Sequence, residues 1–226
     1  MTSLLNKTSD KPTDYQYASC YCEENIYNYL KQQLASITST STNTSTSTNT
    51  NTNTNTTNTS EVGSEMCEAW ACFISNEIKQ VPIWEQKKGS EGEPVVWDYH
   101  VVALEIREGR VVVKDFDTLL PWGCLGLRYF DSSFMFGKID IKEVYKPRFF
   151  IVSARDYLKS FKSDRRHMRS PEGGWMAPPP EWECIGEGGW NLGEFIKGRV
   201  EGVEGVRVGG EDIKVWIQGV EGGGGG

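Results

Sequence analysis

The apolar residues near the amino terminus follow the periodicity of one amphipathic helix. They recur at i, i+3, i+4 and i+8, a spacing that places them on one face of an α-helix. The residues that form this stripe are Ile26, Tyr29, Leu30 and Leu34. Ser19 is the predicted helix N-cap, and Glu23 and Glu24 fall in the first turn, where acidic side chains suit the helix dipole. The pattern therefore predicts a helix that packs one face against a core.

Most other apolar residues lie in short runs that are rich in β-branched and aromatic side chains, a pattern typical of strands. These runs span residues 69–76, 81–86, 95–106, 111–122 and the start of 148–161. The third and fourth runs are separated only by the segment REGR, which predicts a β-hairpin. Short helices are predicted at the end of 148–161 and in NLGEFI. One early helix followed by several antiparallel strands predicts an α+β fold.

Composition divides the chain into one domain with appendages. We predict a flexible amino terminus at 1–14 and a single folded domain at 15–197. A disordered loop at 36–62 interrupts this domain, since that stretch is mostly Ser, Thr and Asn and has few apolar groups to bury. Residues 198–226 are Gly-rich, and their second apolar run, IKVWI at 213–217, is predicted as a last strand before a mobile end.

The charge balance argues against two classes of partner. The 226 residues carry 24 Lys and Arg against 31 Asp and Glu, a net charge of -7, which disfavours nucleic acid or an anionic membrane as the main partner. A small ligand or a peptide is favoured instead. No apolar run has the length of a signal peptide or a membrane span, so we expect a location in the cytoplasm and nucleus, with the cysteines as thiols.

His100 lies within the predicted hairpin and has aspartates opposite it. With a two-residue turn at Glu108 and Gly109, residues across the hairpin sum to 217, so His100 faces Asp117 directly and Asp115 diagonally. A carboxylate at that spacing can orient an imidazole and stabilise its charged form, as in a catalytic triad. The spacing alone leaves both aspartates open as the orienting acid.

Cys22 is the candidate nucleophile for such a histidine. A thiolate in the first helical turn is favoured by the helix dipole and by a neighbouring imidazolium, whereas Glu23 and Glu24 oppose it. The histidine must therefore account for most of the activation. Cys20 is expected to be a packing residue, because side chains two positions apart on a helix point about 200° away from each other.

Other interpretations of the cysteines stay open at this point. Each of the six can be a small buried residue without chemistry. A zinc site is a weaker alternative, because C-x-C and C-x4-C are not repeated C-x2-C knuckles; its candidate ligands are Cys20, Cys22, Cys67, Cys72 and His167. A redox pair is weaker still, since the usual C-x-x-C spacing is missing.

Several long blocks of the sequence resemble one family. SCYCEENIY, FISNE followed by VPIW, VVWDYHVV, DFDTLLPW, DYLKSFKSDRRHM, GGWMAPPPEWECI and NLGEFI are similar, in order, to the successive blocks of the protein N-terminal glutamine amidohydrolases. The resemblance covers residues 15–34 and 66–196. It implies a papain-like or transglutaminase-like thiol-enzyme core, in which a cysteine at a helix start faces His and Asp on an antiparallel sheet.

The resemblance assigns residues and a reaction. It implies a triad of Cys22 from the CYC block, His100 from WDYH and Asp115 as the first aspartate of DFD, with Asp117 as the substitute candidate. The implied reaction converts an N-terminal Gln to Glu with release of ammonia, without metal or cofactor. The implied partners are polypeptides with N-terminal Gln and downstream components of the N-degron pathway, and the enzyme is expected to act as a monomer.

Recognition of a chain terminus requires a group that binds a free α-ammonium. Asp98, Glu23 and Glu24 are the unranked candidates. The predicted pocket walls are Trp97, Tyr99 and Trp84, and His167 is expected to be structural or exposed. Rival functions are a thiol enzyme acting on internal peptide or Gln bonds, a non-catalytic module that binds N-terminal residues, and a zinc-stabilised adaptor.

Overall fold

The computed structural model describes residues 14–41 and 68–223. The helices are α1 Cys22–Ser41, α2 Gly126–Phe134, α3 Ala154–Ser160, α4 Leu192–Lys197 and α5 Asp212–Gly222, with 3-10 turns at Glu143–Tyr145 and Arg166–Met168. The strands are β1 Ala69–Ser75, β2 Val81–Ile83, β3 Val95–Trp97, β4 His100–Arg107, β5 Arg110–Lys114, β6 Cys124–Leu125, β7 Arg148–Ser153 and β8 Gly205–Gly209. None of the helices among these residues is long and apolar enough to cross a membrane.

The architecture is α+β, as predicted, and has three layers. The central sheet has the order β6-β5-β4-β1-β7-β8, and all its pairs are antiparallel. Because side chains alternate along a strand, Phe73 of β1 faces a core shared with α1, α3 and α4, whereas Ile74 faces a second core shared with α2 and α5. A separate two-stranded sheet pairs β2 with β3.

The amphipathic stripe of α1 packs as the sequence predicts. Ile26, Tyr29 and Leu30 are buried in the first core, and Leu34 packs against its border. The predicted N-cap at Ser19 is wrong, because the first helical hydrogen bond runs from the Asn25 N–H to the carbonyl of Tyr21. The side chain of Asn25 instead holds the preceding loop, with two 2.8 Å hydrogen bonds to the backbone of Ala18.

Two predicted boundaries also require correction. Helix α1 continues to Ser41, so the first residues of the predicted loop at 36–62 are helical. The rest of that loop lies outside the described residues, as does the predicted flexible segment 1–14 except for its last residue. The run IKVWI is helical rather than a strand, because its buried residues Ile213 and Ile217 are four apart and share one helix face. Strand β8 and α5 complete the same sheet and core, so the fold continues past residue 198.

The predicted hairpin has the predicted register. Arg107 pairs with Arg110 and Ala103 with Lys114, and each pair sums to 217. Glu108 and Gly109 form the turn, and both have positive φ, at 52° and 70°, as a two-residue hairpin turn of type I′ requires.

The strand predicted at 95–106 is interrupted in the structure. A bend at Asp98 separates β3 from β4, because β3 pairs with β2 outside the main sheet. The bend is fixed by two hydrogen bonds: Ser75 Oγ donates to the Asp98 carbonyl at 2.6 Å, and the Tyr99 N–H donates to the Asp98 carboxylate at 2.9 Å. As a result, His100 begins β4, at the end of that strand nearest to the start of α1.

Candidate active site

The three predicted triad residues each occupy the end of a secondary-structure element. Cys22 is the first residue of α1, His100 is the first of β4, and Asp115 directly follows β5. All three are buried, with exposed fractions of 5%, 0% and 3%. Strands β4 and β5 are neighbours, and α1 packs over β4, so the fold brings these three ends together.

His100 and Asp115 form a direct hydrogen-bonded pair. His100 Nε2 lies 2.9 Å from Asp115 Oδ1. Burial alone would lower the pKa of His100, but the charge and hydrogen bond of Asp115 outweigh it, and the pKa of His100 is raised above its usual value. The pairing therefore favours a protonated imidazole, which is the state that a histidine reaches when it accepts a proton from a thiol.

Asp115 is held as a carboxylate by several donors. Oδ1 also accepts the backbone N–H of Asp117 at 2.8 Å, while Oδ2 accepts the Tyr129 hydroxyl at 2.7 Å and Gln86 Nε2 at 3.3 Å. Burial alone would raise the pKa of Asp115, but His100 and these hydrogen bonds outweigh it and hold its pKa below the usual value. The acid is therefore ionised and fixed in position.

The ideal hairpin put Asp117 directly across from His100, and this prediction is wrong. The β4–β5 ladder ends at Ala103 and Lys114, so its register does not extend to the two residues, and His100 instead pairs with Ile74 of β1. The Asp117 carboxylate accepts the Tyr17 hydroxyl at 2.6 Å. Of the two candidate aspartates, Asp115 is the one that contacts the imidazole.

The sulfur of Cys22 lies at the start of β4. It has a hydrogen bond with the backbone of Val101, the residue after His100, which favours the thiolate. Burial, followed by the charges of Glu23 and Asp117, acts more strongly and raises the pKa of Cys22 well above its usual value. The resting residue is therefore a thiol and needs a base. His100 Nδ1, on the ring edge away from Asp115, is buried and has no hydrogen-bond partner, so it can accept the proton.

The candidate zinc ligands among the described residues are not gathered into one site. Cys22 and Cys72 belong to the two cores on opposite faces of the sheet, and Cys67 lies outside the described residues. Cys20 is partly exposed rather than packed; it precedes α1 with φ at 70°, and its sulfur lies 3.0 Å from Lys88 Nζ.

Among the described residues, one His and carboxylate group has donor atoms close enough together for a metal ion. It comprises His100, Asp115 and Asp117, whose atoms lie within 4.8 Å of one another. The aspartates in it already accept hydrogen bonds from Tyr17 and Tyr129. The arrangement thus fits an imidazole and its orienting acid better than a metal centre.

The three candidates for binding an α-ammonium have different surroundings. Asp98 is exposed and fixes the bend before β4. Glu24 is buried and fully paired: Arg165 binds both its oxygens, and Trp182 Nε1 donates to it at 2.7 Å. Glu23 is buried beside the sulfur, with Oε2 3.7 Å from Cys22 Sγ.

Two predicted wall residues contact the site. Trp97 stacks on the His100 ring, with centroids 4.9 Å apart and an angle of 28° between the planes. The Tyr99 hydroxyl donates to Glu23 Oε2 at 2.8 Å. Trp84 is buried after β2.

Sequence reasoning missed the position of His167. The structure places its Nε2 3.3 Å from Glu23 Oε1 and 3.4 Å from the Tyr99 hydroxyl. The available signal was that His167, one of only two histidines, falls inside a block that resembles the family. His167 and His100 are more than sixty residues apart in the sequence, so no local pattern indicated that they lie near the same site.

Known proteins of one family match most of this chain. A family model described as N-terminal glutamine amidase matches residues 17–211. The human protein N-terminal glutamine amidohydrolase is 37% identical over 186 residues, which cover 80% of this chain and 77% of the human one. Proteins of the same name from Bos taurus and Danio rerio are 37% and 35% identical, cover the same 80% of this chain, and are themselves covered over 76% and 78%. The chain therefore belongs to the N-terminal glutamine amidase family.

Proposed function

We propose that this protein hydrolyses the side-chain amide of an N-terminal Gln to give Glu and ammonia, with Cys22 as nucleophile, His100 as acid and base, and Asp115 as the orienting acid. The observation that carries the assignment is the His100–Asp115 pair. It leaves one imidazole nitrogen free at the strand end where the sulfur of Cys22 lies. Family membership supplies the substrate class.

The first step is attack on the amide. His100 Nδ1 takes the Cys22 proton, and the thiolate attacks the side-chain carbonyl carbon of Gln. The backbone N–H groups in the first turn of α1, including that of Cys22, have no acceptor within the helix. They are placed to donate to the developing oxyanion.

The second step releases ammonia. A water molecule then hydrolyses the thioester and completes the cycle. The imidazolium of His100 protonates the amide nitrogen, and the C–N bond breaks to leave a thioester on Cys22 and free ammonia. His100 then removes a proton from water, which attacks the thioester carbon. The S–C bond breaks, the proton returns to the sulfur, and the product is an N-terminal Glu.

The finer fold assignment is part of the same proposal. A nucleophile at a helix start, packed on an antiparallel sheet that presents His and Asp from neighbouring strands, is the arrangement of papain-like and transglutaminase-like thiol enzymes. We also propose that the protein acts as a monomer in the cytoplasm and nucleus. Its product, a polypeptide with N-terminal Glu, would then enter the N-degron pathway. These points depend on the family resemblance.

The test is ammonia release from three peptides that differ only in the first residue: Gln, Asn and acetylated Gln. The Gln peptide should release ammonia and remain uncut by mass spectrometry, and the other two should not react. Cys22→Ala and Cys22→Ser should abolish release while keeping the wild-type circular dichroism spectrum. Retained activity in both variants would exclude the thiol mechanism.

The same assay separates the rival functions. Peptide cleavage would indicate a papain-like enzyme, and amine incorporation into internal Gln a transglutaminase-like one. Binding of the Gln peptide without ammonia release would indicate a non-catalytic module. Stoichiometric zinc in the purified protein would support the adaptor.

A further inference from the structure

Buried polar atoms without a partner are concentrated in the active site. Among the described residues they include Glu23 Oε1, His100 Nδ1 and His167 Nδ1. Burying a polar atom without a hydrogen bond costs free energy, so such atoms in a native site point to contacts that form with a ligand. The mechanism uses His100 Nδ1. It gives no role to Glu23 or His167.

Glu23 is a buried carboxylate in which one oxygen accepts a hydrogen bond and the other has no hydrogen-bond partner. Oε2 accepts the Tyr99 hydroxyl at 2.8 Å, and the side chain is fully buried. The closest cationic group to Oε1 is His167 Nε2 at 3.3 Å, which lacks hydrogen-bond alignment and carries charge only when protonated. A buried carboxylate is favourable only with a compensating cation, and the resting site provides none that is permanent.

The neighbouring carboxylates do not share this combination. Glu24 has a permanent partner in Arg165, and Asp98 is exposed to solvent. Asp117 accepts the Tyr17 hydroxyl. Of these acids, Glu23 alone has a carboxylate oxygen that is fully buried, lacks a hydrogen-bond partner and belongs to a side chain beside the reactive sulfur.

The distance from Glu23 to the sulfur suits an N-terminal Gln. In such a residue the α-nitrogen is four bonds from the amide carbon and extends at most about 5 Å from it. A charge-assisted N–H···O contact adds about 2.8 Å. Since Glu23 Oε2 is 3.7 Å from Cys22 Sγ, a bent Gln side chain can reach the sulfur with its amide while its ammonium contacts Glu23.

His167 occupies the approach to this oxygen. Its side chain is 15% exposed, whereas that of Glu23 is fully buried. Its contacts with Glu23 and Tyr99 are long, at 3.3 and 3.4 Å. A strong ion pair can therefore replace them at small cost when a cation enters.

We propose that Glu23 binds the α-ammonium of the substrate, that Tyr99 fixes the Glu23 carboxylate, and that His167 moves away from Glu23 when the substrate enters. The proposal rests on the proposed function, which it deepens by naming the group that restricts the enzyme to chain termini. A free ammonium would satisfy Oε1, whereas an acetylated or internal Gln would leave a carboxylate buried and unpaired.

The experiment compares two substrates on four proteins. One substrate is a Gln-initiated peptide, and the other is the same peptide with its α-amino group replaced by hydrogen. The proteins are wild type, Glu23→Gln, the rival-site variant Asp117→Asn and the exposed control Asp98→Asn. Glu23→Gln is isosteric and retains an acceptor for Tyr99. The readout is kcat and KM for ammonia release.

Wild type should prefer the peptide with the amino group, and Glu23→Gln should lose that preference. Truncating one member of a buried ion pair predicts a fall of at least about 30-fold in kcat/KM for the Gln peptide. On the des-amino peptide the variant should match or exceed wild type, because the Glu23 charge opposes the thiolate. Asp98→Asn and Asp117→Asn should retain the preference.

Three outcomes with the variants would overturn the assignment: an unchanged preference in Glu23→Gln, an equal loss on both substrates in Glu23→Gln, or loss of the preference in Asp117→Asn. Equal use of both substrates by wild type, with the acetylated peptide still rejected, would also overturn it, because steric exclusion would then explain the specificity. No ammonia from the Gln peptide with wild type is a different result and would refute the proposed function itself.

Discussion

Replacing Asp115 with Asn tests which aspartate orients His100. The carboxylate accepts four hydrogen bonds, from His100, Asp117 N–H, Tyr129 and Gln86. An Asn oriented with its oxygen toward His100 retains two of them. Its amide N–H groups then face the Tyr129 hydroxyl, which can accept a hydrogen bond instead of donating one. They also face the Gln86 amide, whose oxygen has no hydrogen-bond partner and can accept one if the amide rotates. The variant is therefore expected to fold.

The expected loss of activity comes from removal of the negative charge of Asp115. A neutral amide still accepts the Nε2–H of His100 but no longer stabilises the imidazolium that forms when Nδ1 takes the Cys22 proton. The corresponding change in a catalytic triad lowers the rate by about 10⁴-fold, which is about 5 kcal/mol of transition-state stabilisation. The stability cost should be smaller, about 1.5–3 kcal/mol for a hydrogen bond to a charged group.

The matched variant is Asp117→Asn. It retains the backbone N–H that supports Asp115 and changes only the carboxylate that accepts the Tyr17 hydroxyl. It should lose less activity than Asp115→Asn. Both are assayed by ammonia release from a Gln-initiated peptide at a temperature where circular dichroism shows each variant folded.

A second control separates rate from stability. Tyr129→Phe removes one hydrogen bond from Asp115 and leaves its charge, so it should lower the melting temperature with little change in kcat. A larger rate loss in Asp117→Asn than in Asp115→Asn would refute the assignment. So would an Asp115→Asn enzyme within tenfold of wild type.

Three further predictions concern stability. Glu24→Gln leaves the nearly buried Arg165 without its carboxylate, and breaking such a pair should cost about 3–5 kcal/mol in urea unfolding. The pKa of Asp115 is lowered in the folded state, so its stabilising contribution is present above about pH 4 and lost as pH falls further; Asp115→Asn should flatten the decline of the urea midpoint in that range. Gly205→Ala places a Cβ in steric clash with the Phe150 ring, and the clash should lower the melting temperature by the equivalent of about 1–3 kcal/mol.

Local patterns predicted the scaffold of the site well. The stripe on α1 and the hairpin register depend on residues close in sequence, and the turn at Glu108 and Gly109 has the backbone angles that its length demands. The predicted register does not apply at Asp115, because the β4–β5 ladder ends at Lys114 and the chain beyond it is no longer paired with β4. Strand pairing predicts positions only as far as the strands remain paired.

The sequence pattern did not predict the contacts between residues that are far apart in the chain. Arg165 reaches Glu24 from 141 positions away, and His167 reaches Glu23 from a similar separation. No periodicity or spacing connects these segments. The sequence therefore left Glu23, Glu24 and Asp98 unranked, and only the contacts around each carboxylate distinguish them.

The contrast between Glu23 and Glu24 links substrate binding to activation of the thiol. The charge of Glu24 is already compensated by Arg165, so adding a cation there would change little. The charge of Glu23 is among the causes that raise the pKa of Cys22 and keep it protonated. If an α-ammonium pairs with Glu23, it neutralises that charge next to the sulfur, and transfer of the Cys22 proton to His100 becomes easier. A ligand without the ammonium would then lose both the ion pair and this help in forming the thiolate, so discrimination should appear in kcat as well as in KM.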